Sequence, residues 1–176
     1  MRRDGFTLIE LLVIFVIVGI LVIVAIPGFS NLLPNYRLRS AARDLFSNFQ
    51  LAKFTSIKRN SYCAVTFGQD IGGTTYDYIV YVDSNSDLVY DAGEDIVTKV
   101  LFSERYPGVD FDTTQGGGDG LTFPPNAVPL PSIAFTPNGL PRDNVGNPGA
   151  GTAFFINTKN GTATVVVTAS GNITVQ

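Results

Sequence analysis

The sequence predicts an α+β fold in which one long N-terminal helix packs on an antiparallel β-sheet head. Three observations predict it. An apolar run from Phe6 to Ile26 carries Glu10 as its only ionisable residue; apolar residues then recur on a helical period from Leu38 to Ala52; and beyond residue 60 the chain breaks into short β-rich segments separated by Gly and Asn turns. A length of 176 residues suits one domain. Only 15% of residues are charged, while 45% are hydrophobic, which argues against a disordered chain. With no His and a single Cys, a Ser-His-Asp triad, a Cys-His dyad, a His-ligated zinc site and an internal disulfide are all excluded. A net charge of −3 and a pI near 4.8 argue against a protein that coats nucleic acid.

The apolar run is long enough to span a bilayer, since a helix of that length reaches roughly 30 Å. Arg2 and Arg3 precede it as in a secretory signal, but the run is too long and ends in Ala25-Ile26-Pro27-Gly28 without a small-x-small cleavage site. Arg2 and Arg3 on one side face Arg37, Arg39 and Arg43 beyond the other, so charge favours an N-terminus-inside orientation only mildly. Glu10 is the informative residue. A carboxylate within such a run costs on the order of 2.5 to 3.5 kcal/mol, so it either sits at headgroup level or faces a partner.

Past Pro27 the positions Leu38, Ala42, Leu45, Phe49 and Ala52 lie on one face of an amphipathic helix, with Arg39, Arg43, Asn48 and Lys53 on others. The helix is expected to kink or locally melt at Pro27-Gly28 and Pro34, and to stop near Lys58-Arg59-Asn60, with cations in its last turn and Asn as cap. The arginines at 37, 39 and 43, with Lys58 and Arg59, form a solvated face or touch lipid headgroups.

Strands are expected at Ser61 to Phe67, Asp77 to Val82, Ile96 to Phe102, Ile133 to Phe135, Thr152 to Asn157, Thr162 to Ala169 and Ile173 to Val175, the last three as a meander. Turn signals stand at Gly72-Gly73, Asn138-Gly139, Asn160-Gly161 and Ser170-Gly171-Asn172. From Gly116 to Pro131 the chain is too rich in Gly and Pro for regular structure and is expected to be a mobile surface loop. Cys63, alone in a strand pattern, reads as a small core hydrophobe, and Tyr76, Tyr78, Tyr81 and Tyr90 read as sheet packing.

Between the second and third strands, Asp83, Asn85, Asp87, Asp91 and Glu94 fall at positions 1, 3, 5, 9 and 12 of a twelve-residue window, and Val89 offers a backbone carbonyl at 7. This is the spacing of an EF-hand calcium loop, but Leu88 stands where that loop needs Gly, and the flanks are strands. Two readings stand open: an acidic β-turn, and a calcium site relieving repulsion among the acids. No cofactor is required on the first, and calcium is the ligand on the second. Asp83 and Asp91 are also the paired carboxylates that a tethered hydrolase would use, but no base or nucleophile motif accompanies them, so an enzyme is not expected.

Gly5-Phe6-Thr7-Leu8-Ile9-Glu10, after a short basic leader and before the apolar run, resembles the type III signal of type IV pilins and type II secretion pseudopilins. The helix end from Ala41-Ala42-Arg43-Asp44-Leu45 to Ile57-Lys58-Arg59-Asn60 resembles the GspH/FimT group of minor pseudopilins and minor pilins. So do Tyr81-Val82-Asp83, Asp91-Ala92-Gly93-Glu94-Asp95 and Ile133-Ala134-Phe135-Thr136-Pro137-Asn138-Gly139. The resemblance implies the pilin fold, with residues 1–5 a leader, 6–26 a transmembrane and filament-core helix, 27–60 an amphipathic stem and 61–176 the head. It also implies cleavage between Gly5 and Phe6 by prepilin peptidase, N-methylation at Phe6, and a Glu10 that meets the freed amine of a neighbouring subunit. The implied partners are other pilins or pseudopilins and the inner-membrane assembly platform. The implied location is the bacterial inner membrane, single-pass with the head in the periplasm, and then the filament. The alternative is a minor pilin whose head binds DNA or another extracellular ligand. Some members of the FimT branch bind DNA through a basic C-terminal motif, whereas this chain ends Gly171-Asn172-Ile173-Thr174-Val175-Gln176, so nucleic acid is not expected as a partner.

Overall fold

The computed structural model describes residues 7–176, with backbone alone for 24–31. One helix, α1, runs Leu8–Arg59. Its helical backbone continues through Pro27, Gly28 and Pro34, so the expected melting does not occur. The C-terminal end is as expected: Asn60 closes the helix in the left-handed conformation at φ 51°, its N–H returning to the last turn, with Lys58 and Arg59 against the negative end of the dipole.

Nine strands follow: β1 Tyr62–Ile71, β2 Thr74–Asp83, β3 Asp95–Val100, β4 Val109–Phe111, β5 Ser132–Phe135, β6 Pro141–Arg142, β7 Gly151–Asn157, β8 Thr162–Val167 and β9 Ile173–Val175. A one-turn helix, α2 Phe102–Arg105, begins where the third strand was expected to end. The head is two antiparallel sheets and not one, in the orders β3-β2-β1-β5-β6 and β4-β7-β8-β9. The meander β7-β8-β9 matches the expectation. Strands β4 and β6, of three and two residues, were not expected, being too short for alternation to be read; β9, also three residues, was legible from the Ser170-Gly171-Asn172 turn before it.

The amphipathic face of α1 explains the layering. Leu38, Ala41, Ala42, Leu45, Phe49 and Ala52 are buried among β1, β2, β5, β7, β8 and β9, so the stem packs against both sheets. Small residues at 41, 42 and 52 let backbone approach the sheets, and Phe49 fills the centre, its ring 5.7 Å from that of Phe123 and 6.4 Å from those of Phe67 and Phe135. Full burial of a side chain the size of Phe49 stabilises the fold by about 2–3 kcal/mol.

Phe123 corrects the reading of residues 116–131. Irregular they are, but the segment is built into the core. Phe123 stacks on Phe67 at 5.1 Å and 18°, and Leu121 joins the same cluster. Backbone bonds from Thr122 to Thr152 and from Phe154 to Gly120 fasten one part to β7, and Asn126 pairs with Leu130 across the next turn. Gly151 makes room: a Cβ there would lie 2.3 Å from the Phe123 ring.

Candidate functional site

Three places carry the groups singled out by sequence, and the first is the start of α1. Thr7 is the N-cap, and its hydroxyl accepts the Glu10 N–H at 3.3 Å, while Glu10 Oε2 accepts the Thr7 N–H at 2.8 Å and the Thr7 hydroxyl at 2.7 Å. This reciprocal capping box satisfies two orphan donors at the helix end. The signal was readable as Thr-x-x-Glu before an apolar run, and reading Glu10 only as an ion-pair partner misses it. Gly5 and Phe6, the expected cleavage pair, lie outside the described residues.

From Leu8 to Ile23 the apolar side chains are exposed, Leu8 at 84% and Ile23 at 72%. No helix among the described residues is long and apolar enough to cross a membrane. The run in the sequence extends to Ile26, beyond the last side chain described in this half of α1. Apolar residues on all sides of a helix cannot be a water-facing amphipathic surface, so this half calls for an apolar surrounding.

The second place is the acidic turn between β2 and β3. Asp83 is fully buried, and its two oxygens accept the N–H groups of Ser86 at 2.7 Å and Leu88 at 3.0 Å. Desolvation pushes the Asp83 carboxyl upward, against the pull of those two bonds. Asn85 donates to Asp87 Oδ2 and Asp91 Oδ2, both at 3.0 Å, and the Val89 N–H goes to Asp87 Oδ1 at 2.8 Å. Glu94 accepts from the Ser84 N–H at 2.8 Å, the Ser84 hydroxyl at 3.1 Å and the Asp91 N–H at 3.1 Å. The six residues of the calcium window are thus in one turn, but N–H and O–H donors occupy the carboxylates. Among the described residues no set of three or more His, Cys, Asp or Glu side chains is arranged to hold a metal ion.

Leu88 explains its own presence in that window. At φ 61° it turns inward, 2% exposed, onto Ala64, Ile79, Tyr81 and Ala134 on the outer face of the five-stranded sheet. Tyr90 meets Tyr81 edge-on at 5.4 Å, and Asn126 donates to the Leu88 carbonyl at 2.7 Å. The acidic turn is therefore a flap over the sheet, anchored by an apolar side chain where a glycine would leave a hole.

The third place joins stem to head. Asn48 donates to the Tyr78 hydroxyl at 2.8 Å, that hydroxyl donates to Asp44 Oδ2 at 3.1 Å, and Arg105 pairs with the same oxygen at 3.3 Å. Arg37 donates to the Pro107 carbonyl at 2.9 Å, and Arg59 forms an ion pair with Asp95. Arg39, Arg43 and Lys58 remain exposed, as the solvated-face reading expects. Tyr78 and Tyr81 are fully buried, which makes them packing groups. Burial pushes the Cys63 thiol up to about 12, so it carries no thiolate near neutral pH and is inert.

Residues 41–171 match the family of type II transport proteins GspH. That span takes in the stem from Ala41, the whole five-stranded sheet and strands β4, β7 and β8 of the other. The chain belongs to the GspH family. Residues 1–26 independently match the prokaryotic N-terminal methylation motif. The pilin-like protein PilA1 of Thermus thermophilus is 32% identical over 140 residues, covering 77% of this chain and 85% of that one. No solved structure matches. This GspH-family chain is accordingly a pilin or pseudopilin subunit with the pilin fold, in a family of structural proteins and not an enzyme class.

Proposed function

We propose that this chain is a minor subunit of a type II secretion pseudopilus or a type IV pilus, processed by prepilin peptidase between Gly5 and Phe6 and methylated at Phe6. Before assembly it is anchored in the bacterial inner membrane by the run to Ile26, with the head in the periplasm. The inner-membrane assembly platform then moves it into a filament beside other pilins or pseudopilins.

The observation that carries this reading is the division of α1. Its second half buries one face in the head, while from Leu8 to Ile23 its first half exposes apolar side chains on every side. Only lipid or the same kind of helix from neighbouring subunits can cover such a surface without cost. Glu10 lies at the tip of that half. Cleavage after Gly5 would free an amine at Phe6, and a cation and a carboxylate in an apolar setting are each expensive alone and far less so together.

Glu10→Gln separates the two uses of the side chain. Glutamine keeps an acceptor for the capping box but removes the charge. The variant should reach the membrane in normal amount and be cleaved normally, yet co-assemble with partner pilins at least about tenfold less, the equivalent of about 1.4 kcal/mol. Mass spectrometry of the mature N-terminus and pull-down of partner pilins read the two steps apart. Met1 still attached to membrane-extracted wild-type protein would overturn the processing, and unchanged co-assembly would overturn the pairing.

A further inference from the structure

The head contains a cation that is held in place but not neutralised. Twelve of the 15 Asp and Glu residues lie beyond residue 60, with only four of the 12 Lys and Arg: Lys99, Arg105, Arg142 and Lys159. Arg105 pairs with Asp44, Lys99 lies over the Tyr76 ring at 4.7 Å, and Lys159 is exposed. Arg142, half-buried in β6 at the edge of the five-stranded sheet, has no carboxylate within ion-pair distance among the described residues.

Its position is nevertheless fixed. Nη1 donates to the Tyr62 hydroxyl at 2.8 Å, and the guanidinium carbon lies 6.0 Å from the centre of that ring. The loop after β6 closes tightly around it. Gly146 has φ 93°, and a Cβ there would come within 2.3 Å of Arg142 Nη2; one at Gly149 would come within 2.8 Å of the Arg142 backbone. Asp143, the acid next in the chain, is used elsewhere. Its Oδ1 accepts the N–H groups of Val145 at 3.1 Å and Asn147 at 2.7 Å, and its Oδ2 the Asn147 amide at 3.3 Å. The acid that could have neutralised the guanidinium holds the loop's shape instead.

Two surface hollows, of about 290 and 420 Å³, meet at Arg142 and Tyr62. The first is bordered by Ser86 and Val145. The second has an apolar wall of Pro137, Leu140, Pro148 and Ala169.

We propose that Arg142, oriented by Tyr62, is a docking site for a single side-chain carboxylate flanked by apolar residues, presented by an extended segment of another protein. A guanidinium fork recognises a carboxylate with two parallel bonds, and one whose rotamer is already fixed loses little entropy on doing so. The apolar hollow receives the residue beside the acid. The acidic turn reaches the other hollow through Ser86 and Leu88, and its carboxylates repel a polyphosphate chain, which selects one carboxylate over a nucleic-acid backbone. The site is separate from the α1 surface used for assembly and goes beyond the filament role.

The test uses the full chain in detergent micelles with ¹⁵N-labelled arginine, and follows the Arg142 Nε–H signal by NMR. The probes are the capped pentapeptide Ala-Leu-Glu-Leu-Ala, its Ala-Leu-Gln-Leu-Ala counterpart, sodium acetate and a short DNA duplex. The Glu peptide should shift the signal saturably and bind at least about tenfold more tightly than the Gln peptide or acetate, the worth of one charge-assisted bond. Arg142→Gln should abolish the preference, with its thermal midpoint showing that it is folded; if it does not fold, the wild-type comparison of peptides decides. Equal binding of the two peptides, acetate matching the Glu peptide, DNA outcompeting it, or no shift at all would each overturn the proposal.

Discussion

Asn85 stands between two carboxylates and gives one amide hydrogen to each. That bridge ties the two acids together within the acidic turn. Millimolar calcium should therefore leave the unfolding midpoint of the wild-type protein unchanged. Asn85→Asp should lose about 1–2 kcal/mol, because two acceptors then lack donors and a third charge joins them, and should recover part of the loss in calcium. Thermal unfolding with calcium or with chelator decides, and a clear rise for the wild type would defeat this account. Asp77 gives a second handle. Desolvation holds its carboxyl above the usual range, although Oδ2 accepts the Phe102 N–H. The folded state therefore binds that proton more tightly than the unfolded chain. The ionised form costs the fold stability at neutral pH, and this cost disappears as pH falls through the raised range toward the ordinary value of 3.8. Asp77→Asn keeps an acceptor and has no such charge. The variant should gain stability over wild type at pH 7 and lose that advantage at low pH, as paired unfolding curves would show.

At the scale of elements, the segment around Phe123 departs furthest from what sequence supports. Its Gly and Pro content reads as loop, and loop it is, but one aromatic side chain makes it part of the interior. Phe123→Ala should cost about 3–5 kcal/mol, as for a central core residue, and Gly151→Ala should be nearly as damaging because the methyl meets the same ring. A change under about 1 kcal/mol in denaturant unfolding would mean the segment is only draped over the head. The helix, its cap at Asn60 and the meander β7-β8-β9 were legible because period and turn chemistry are local. Pairings over long separation were not: Val65 sits beside Ile133 in β1 and β5, and nothing in either neighbourhood encodes that. The capping box at Thr7 was legible and needed only the three-residue spacing to be noticed. Arg142 was not, since its significance depends on Tyr62, 80 residues away, and on which acid Asp143 chooses to serve. Leu88 looked like a flaw in a calcium motif and is an anchor, a distinction only its inward turn reveals.

For the whole molecule, the core begins at Leu38, and no buried hydrophobic residue described precedes it. A chain lacking residues 1–31 should accordingly be soluble and fold, with a thermal midpoint within a few degrees of the full chain in detergent; aggregation of that form would show that the first half of α1 supports the head. The reverse dependence is stronger. Because six side chains of the stem, from Leu38 to Ala52, lie between two sheets that also share Phe67, Phe123 and Phe155, the stem is not a handle attached to a finished body. A tug along its axis would load both sheets at once, because α1 touches strands of each. Any load on the joint between shaft and cap is therefore passed straight into the shared interior of both layers.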